Sequence, residues 1–267
     1  MVRRPCVAGR FYPQESETLR GEVSAFLDTG AQAQAATAIM SPHAGYVYSG
    51  GVAGAVFSSV VIPDTVVLIG PNHTGLGENA AVMPKGSWQM PFGSMRVNEE
   101  LAGALVDSSA LFAADNAAHL MEHSLEVQLP FLYQLNSSVS IVPVTVMRAD
   151  IAECEEMGMA LAKAVAGCGR DVLIVISSDM THYESERSAK AKDKLAIARI
   201  CALDGQGLLD VAEKKDITMC GVIPAVIAIF AAKKLGAKHG RLVRYATSGE
   251  VSGDFTQVVG YAGIVIS

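Results

Sequence analysis

The chain has 267 residues, half of them hydrophobic and only 18% charged, which is enough apolar material for one compact core. A net charge of −6 and a pI near 5.5, with no lysine or arginine cluster, exclude a nucleic-acid surface and favour a small-molecule or peptide ligand. No signal peptide or spanning helix is evident, because the longest apolar window, Cys220 to Ala232, is short and holds Pro224; five cysteines without a CxxC pair indicate a reduced, cytoplasmic protein.

After a short arm ending in Phe11-Tyr12-Pro13, the segment SETLRGEVSAFLD spaces Leu19, Val23, Phe26 and Leu27 helically behind a Ser16 cap. Short apolar runs at 36–40, 65–70, 139–146 and 171–177 read as strands. Helical patterns near 50–60, 98–107, 117–135, 150–167, 187–202 and 220–236 separate several of them. Residues 78–97, rich in Pro, Gly and Met, lack a helical period and read as a strand-and-turn excursion, either a lid or an edge hairpin. Two further strands, 241–247 and 257–266, close the chain. The alternation predicts an α/β fold of βαβ units on a largely parallel sheet, and the lack of any linker or repeat makes residues 1–267 a single domain.

Three of these strands end in the same way. AIMSPHAG places His43 after the first, VLIGPNHTG places His73 after the second, and VISSDMTHYE places Asp179 and His182 after a later one. Parallel strands bring their carboxyl ends to one edge of the sheet, where open α/β folds bind ligands, so these distant residues are expected to converge. Taken singly, each histidine reads more readily as an ordinary loop histidine than as a functional one, but the repeated context points to a metal or acid/base site. Such a site ordinarily adds a carboxylate or thiolate ligand, and Cys220, in MCGVIPAV, stands where a turn enters a helix and free N–H groups are expected to lower a thiol pKa. Judged alone, Cys220 is as readily a small packed hydrophobe beside Met219. Asp179 and His182 suit a general acid/base pair in which the carboxylate orients the imidazole, and equally a turn or helix cap at Asp179 with His182 merely exposed.

A competing motif, HLMEH at 119–123, matches the H-x-x-E-H spelling of inverted zinc peptidases, with His119 and His123 on one helix face and Glu122 activating a zinc-bound water. It lacks an evident downstream glutamate ligand and leaves His43, His73 and His182 unexplained. The stripe Leu125, Leu129, Leu132 fits an ordinary helix packed near the site, with His123 or Glu126 supporting it. Tyr46 and Tyr48 flank the first histidine and either line a pocket or pack as aromatics. GxGxxG, GxxxxGK[ST] and GxSxG spacings are missing, so neither a nucleotide cofactor nor a serine hydrolase is supported.

The combination RPCVAGRFYP, SPHAGYVYSGGVA, GPNHTG, MEHSLEVQLPFL, SSDMTHY and MCGVIPAV closely resembles the Memo family, also described as protein B of the AmmeMemoRadiSam system. The motifs occur in matching order over essentially the whole chain. The resemblance implies the three-layer α/β/α fold of class III extradiol ring-cleaving dioxygenases, and a pocket lined by His43, His73, His123, Asp179, His182 and Cys220. By position, His43 and His73 look like that fold's metal-ligating histidines and His182 its acid/base, while Cys220 falls where a glutamate ligand is expected. A thiolate is softer than a carboxylate and itself oxidisable, which suits copper(I), zinc or iron sites with sulfur ligation and departs from ring cleavage; iron or copper is the expected metal, ahead of zinc. The leading expectation is redox chemistry on a small molecule at a His43/His73/Cys220 metal site, with His182 and Asp179 handling protons. The alternative is a non-catalytic module that binds a peptide or protein in the same cleft. The resemblance also suggests the AMMECR-domain and radical SAM proteins of the same system as partners.

Overall fold

The computed structural model describes residues 1–267. Strand β1 (Val2–Arg3) leads into helix α1 (Ser16–Phe26), strand β2 (Ala38–Ser41), helix α2 (Tyr46–Ser58) and strand β3 (Thr65–Pro71). Strands β4 (Ala80–Val82), β5 (Ser87–Met90) and β6 (Gly93–Arg96) follow, then α3 (Glu99–Ser108), β7 (Ala113–Ala114) and α4 (Ala117–Leu120). A 3-10 turn (Glu126–Gln128) opens α5 (Leu129–Leu135), and β8 (Ser140–Val146), α6 (Ile151–Gly167), β9 (Val172–Ser177) and β10 (His182–Glu184) come next. Helices α7 (Glu186–Cys201), α8 (Gly205–Lys215) and α9 (Val222–Lys234), strand β11 (Gly240–Thr247), helix α10 (Gly249–Ser252) and strand β12 (Val258–Ile266) complete the chain.

The main sheet has nine strands in the order β10-β12-β2-β9-β3-β8-β4-β7, with β11 paired to β12. Its centre, β2-β9-β3-β8, is parallel and its flanks are antiparallel. The central strands are uninterrupted apolar runs because both faces are covered. Helices α1, α2 and α5 form one layer, and α3, α6, α8 and α9 form the other, with α9 packed on β2, β3, β8 and β9. The chain crosses from β2 to β3 through α2 and returns from β8 to β9 through α6. That leaves β9 between β2 and β3, so the carboxyl ends of three adjacent parallel strands meet at a point where the winding reverses.

The expected elements form, with four differences of local origin. Helix α1 is capped by Glu15 rather than Ser16: its carboxylate accepts from the Glu17 and Thr18 N–H groups. The excursion at 78–97 is an edge hairpin and no lid, since β5 pairs with both β6 and β1 in a separate three-stranded sheet that buries Trp88. The single helix expected at 117–135 breaks into α4, an irregular stretch and α5, which begins with Pro130 in its first turn, where a missing N–H does no harm. Helix α8, unexpected from a start that reads Gly-Gln-Gly, forms because the Asp204 carboxylate accepts the Gly207 N–H and Leu208 is fully buried.

Candidate metal centre

His43 follows β2 and is almost fully buried. Its Nδ1 lies 2.9 Å from Ser177 Oγ, and that hydroxyl donates its one proton to the Ser124 carbonyl (2.6 Å). Ser177 therefore accepts from the imidazole: Nδ1 carries the hydrogen and Nε2 keeps its lone pair. Gln128 Nε2 donates to the same Oγ (2.9 Å) and fixes it further. Burial, and then the neighbouring His123 and His73, hold the His43 pKa well below its ordinary value, so the ring is neutral and fit to ligate.

His73 follows β3. Glu122 grips it twice, accepting the backbone N–H (2.5 Å) and facing Nδ1 (3.0 Å), and also accepts the Ser124 N–H (2.8 Å). Burial alone would raise the Glu122 carboxyl, but His73, the Ser124 N–H and His123 together outweigh it and hold the pKa down at about 2. An ionised Glu122 fixes Nδ1 of His73 as the donor and leaves Nε2 available, the carboxylate–histidine arrangement that supports metal-binding imidazoles. His123, from the irregular stretch after α4, stacks on His73 with ring centroids 4.7 Å apart, and its Nδ1 lies 3.5 Å from the same Glu122 oxygen. His43 meets both rings edge-on at 5.2 and 5.5 Å. One ligand atom from each of His43, His73 and His123 lies within 4.8 Å of the others. A set of imidazoles with orienting partners fits a first-row transition metal.

Cys220 places its sulfur 3.2 Å from His43 Nε2 and accepts the Asp179 N–H at 3.3 Å. Its expected low pKa is not found. Burial, followed by the Asp179 charge, pushes the thiol far up, and the hydrogen bonds from Asp179, Ser178 and Gly221 are too weak to offset it. Nor is the helix terminus free, because the Gly221 N–H is already taken by Ser178 Oγ at 3.0 Å. Asp179 accepts the His43 backbone N–H at 2.8 Å, locking the strand-end turn, and burial lifts its carboxyl to about 6.

His182 is not oriented by Asp179. Its backbone N–H donates to Thr218 Oγ1 (2.7 Å) and its Nδ1 to the Thr218 carbonyl (2.9 Å), so Nε2 is again the free nitrogen. The HLMEH residues divide between two places. His119 is fully buried with its ring 5.9 Å from that of Trp88 and no hydrogen-bond partner on either nitrogen, while His123 faces His73, so the two share no site. Glu126 and Tyr46 support the region from behind the pocket. Glu126 binds Arg3, the Cys6 and Val7 N–H groups and Tyr12, and the Tyr46 hydroxyl donates to the Val127 carbonyl at 2.7 Å. The roles of Glu122, Ser177, Gln128 and Arg3 escaped the sequence reading; only Glu122 carried a signal, inside the motif read as a peptidase. A crevice of about 670 Å³ at the opposite edge of the sheet, near Thr37, Val172 and Leu235, holds no histidine or cysteine and offers no competing centre.

Burial, with the Arg3 charge added, lowers the His119 pKa from 6.5 to about 4. In that window the unfolded chain binds a proton that the folded one refuses, so folding stability drops as pH falls from 6.5 toward 4. His119→Phe is therefore expected to flatten this dependence, sparing roughly 2–3 kcal/mol between pH 7 and pH 4.5. Denaturant unfolding of both proteins at the two pH values checks it, and parallel losses would show that His119 contributes nothing to the slope.

A family model described as "Memo-like protein" matches residues 3–265. A MEMO1 family protein of Methanopyrus kandleri is 41% identical, with 99% of each chain covered. Another, of Methanothermobacter thermautotrophicus, is 39% identical over 98% of this chain and 99% of its own. A third, of Aquifex aeolicus, is 40% identical over 99% and 98%. Among solved structures, an uncharacterised protein of Escherichia coli K12 shares the fold with a TM-score of 0.57 at 14% identity, covering 86% of this chain and 99% of that one.

Proposed function

This chain belongs to the Memo-like protein family, and on that premise and the geometry of its pocket we propose that it binds a redox-active metal, iron or copper, for chemistry on a small molecule. The observation that carries this reading is the gathering of His43, His73 and His123 within 4.8 Å, with the Nδ1 atoms of the first two engaged by Ser177 and Glu122. His43 and His73 would hold the metal through Nε2, with His123 and Cys220 completing the donor set. When bound, such a metal supplies one-electron redox and Lewis-acid chemistry. Glu122 and Ser177 keep two imidazoles in the ligating tautomer, and Asp179 holds the His43 turn in place. His182, anchored on Thr218 through Nδ1, is the group that moves a proton, at Nε2. The Cys220 thiol is protonated, so its recruitment releases a proton and makes affinity rise with pH.

Metal analysis of protein purified without chelator or nickel resin tests the reading, with stoichiometric iron or copper as the expected result. Protein that carries no metal, and gains none on anaerobic addition of Fe(II) or Cu(I), would overturn it. Cys220→Ser is expected to weaken Cu(I) binding tenfold or more and Fe(II) binding less, because the softer ion depends more on sulfur. The second reading, a peptide- or protein-binding cleft, draws support from exposed apolar side chains beside the site, Val47 and Tyr48 after His43 and Tyr183 after His182. Partner binding that survives in a metal-free His43→Ala, His73→Ala, Cys220→Ser triple variant would favour it.

A further inference from the structure

Arg3 is one of the most deeply buried charged residues of the chain, 1% exposed, on a two-residue strand at its very start. Buried arginines are rare without a full set of partners, and this one has them. Nε donates to the His119 carbonyl (3.0 Å), Nη2 to the Glu122 carbonyl (2.7 Å) and the Cys6 sulfur (3.2 Å), and Nη1 to the Glu126 carboxylate. The guanidinium carbon Cζ lies 4.2 Å from the centre of the Trp88 ring, and β1 pairs with β5 at the register Arg3 to Trp88.

All three oxygen acceptors belong to one segment, 119–126, and residues 121–125 of it have no regular secondary structure. Without a ladder to hold it, the segment depends on anchors from elsewhere. On the sheet side these are Ser124, whose hydroxyl donates to the Pro71 carbonyl (3.1 Å) and whose carbonyl accepts from Ser177. On the far side the anchor is Arg3. The segment carries His123 itself, and it carries Glu122, whose carboxylate sets His73. Two of the three imidazoles therefore take their position from a stretch clamped by the N-terminal arm. His43 is set chiefly from the sheet, through Ser177 at the end of β9 and Asp179 just after it.

We propose that Arg3 is a positioning residue of the three-histidine centre: it fixes the 119–126 segment and, through it, His123 directly and His73 by way of Glu122, without a hydrogen bond to any of the three rings. Lysine cannot take its place, because one ammonium cannot span two carbonyls and a carboxylate in the geometry of the planar fork.

The affinity arm of the test rests on the metal reading above, while the imidazole arm uses metal-free protein and does not. In Arg3→Lys, the ring-nitrogen NMR signals of His73 and His123 are expected to shift more than those of His43, which feels the change only through its neighbouring rings and Ser177, and Fe(II) or Cu(I) affinity is expected to fall 10- to 100-fold. Arg3→Gln, which keeps two N–H donors and buries no charge, is read in the same way if the lysine variant does not fold. Leu208→Ala, in α8 on the other helical layer, is the control for a purely structural effect and should lower the melting temperature without moving either readout. Unchanged His73 and His123 signals in the folded arginine variants would overturn the proposal, as would equal shifts in Leu208→Ala. If the wild type binds neither metal, the functional reading fails on its own and the imidazole signals still decide the role of Arg3.

Discussion

Replacing His73 by alanine is expected to abolish stoichiometric binding of Fe(II) or Cu(I), with affinity reduced a hundredfold or more, while the protein stays folded. The imidazole is about a third exposed and its loss opens no buried cavity. Glu122 remains satisfied in the variant by the backbone N–H of residue 73 and by the Ser124 N–H. The expected change in melting temperature is accordingly a few degrees at most. Glu122→Gln separates orientation from ligation. The amide keeps the shape and one acceptor but loses the charge that holds Nδ1–H of His73 in place, so affinity should fall by roughly 10- to 100-fold rather than vanish. Anaerobic titration against a chromophoric competing chelator measures both. Full metal retention in His73→Ala would remove His73 from the centre, and loss in His119→Ala instead would revive the peptidase motif despite the burial of His119 against Trp88.

The largest loss of stability is expected from Glu126→Ala. Its carboxylate receives Arg3, the Cys6 N–H (2.8 Å), the Val7 N–H (3.1 Å) and the Tyr12 hydroxyl (2.6 Å), and Arg3 and Glu126 are both fully buried. Truncation strands a guanidinium in the interior together with three unpaired donors. Breaking a buried pair in this way costs about 3–5 kcal/mol, roughly 10 °C in melting temperature for a chain of this size. The sole tryptophan, Trp88, lies against the Arg3 guanidinium, so its fluorescence follows unfolding at the place affected. Arg3→Met combined with Glu126→Leu should be less damaging than Glu126→Ala alone, because it removes both charges and refills the volume. A loss below about 1 kcal/mol in Glu126→Ala would show that the cluster is not the anchor described here. The acid limb has a defined sign. Burial raises Glu126, but Arg3, the Cys6 N–H and Tyr12 outweigh it and bring its pKa below the ordinary 4.5. The stability that Glu126 and Glu122 contribute is thus complete at neutral pH and is lost as pH falls below about 4.5 toward the Glu122 value of about 2.

Much of this was legible in the chain. Residues 66–69 and 172–176 are branched and apolar throughout, a pattern that a strand covered on both faces sustains, and they lie in β3 and β9, whose bounds match the expected 65–70 and 171–177 to within a residue. Because parallel strands end at one edge, the strand pattern alone brings together the residues that follow them, His43, His73 and Asp179. The irregular segment was not legible. HLMEH has a helical spelling, but the helix stops at Leu120, and the two histidines that share a helix face on paper point into different surroundings.

Local periodicity and strand-end residues, which depend on positions close together in sequence, were enough to determine the α/β class and the sheet edge at which His43, His73 and Asp179 gather. The tertiary structure alone decided the partners of the buried charges: Arg3 with Glu126 across 123 positions, Glu122 with His73 across 49, and Cys220 with His43 across 177. A buried carboxylate or thiol takes its charge state and its role from whatever the fold packs against it. That is why Cys220, expected as an activated thiol at a helix start, is a protonated one beside His43 and Asp179, and why Glu122, expected as a peptidase base, is the residue that holds His73.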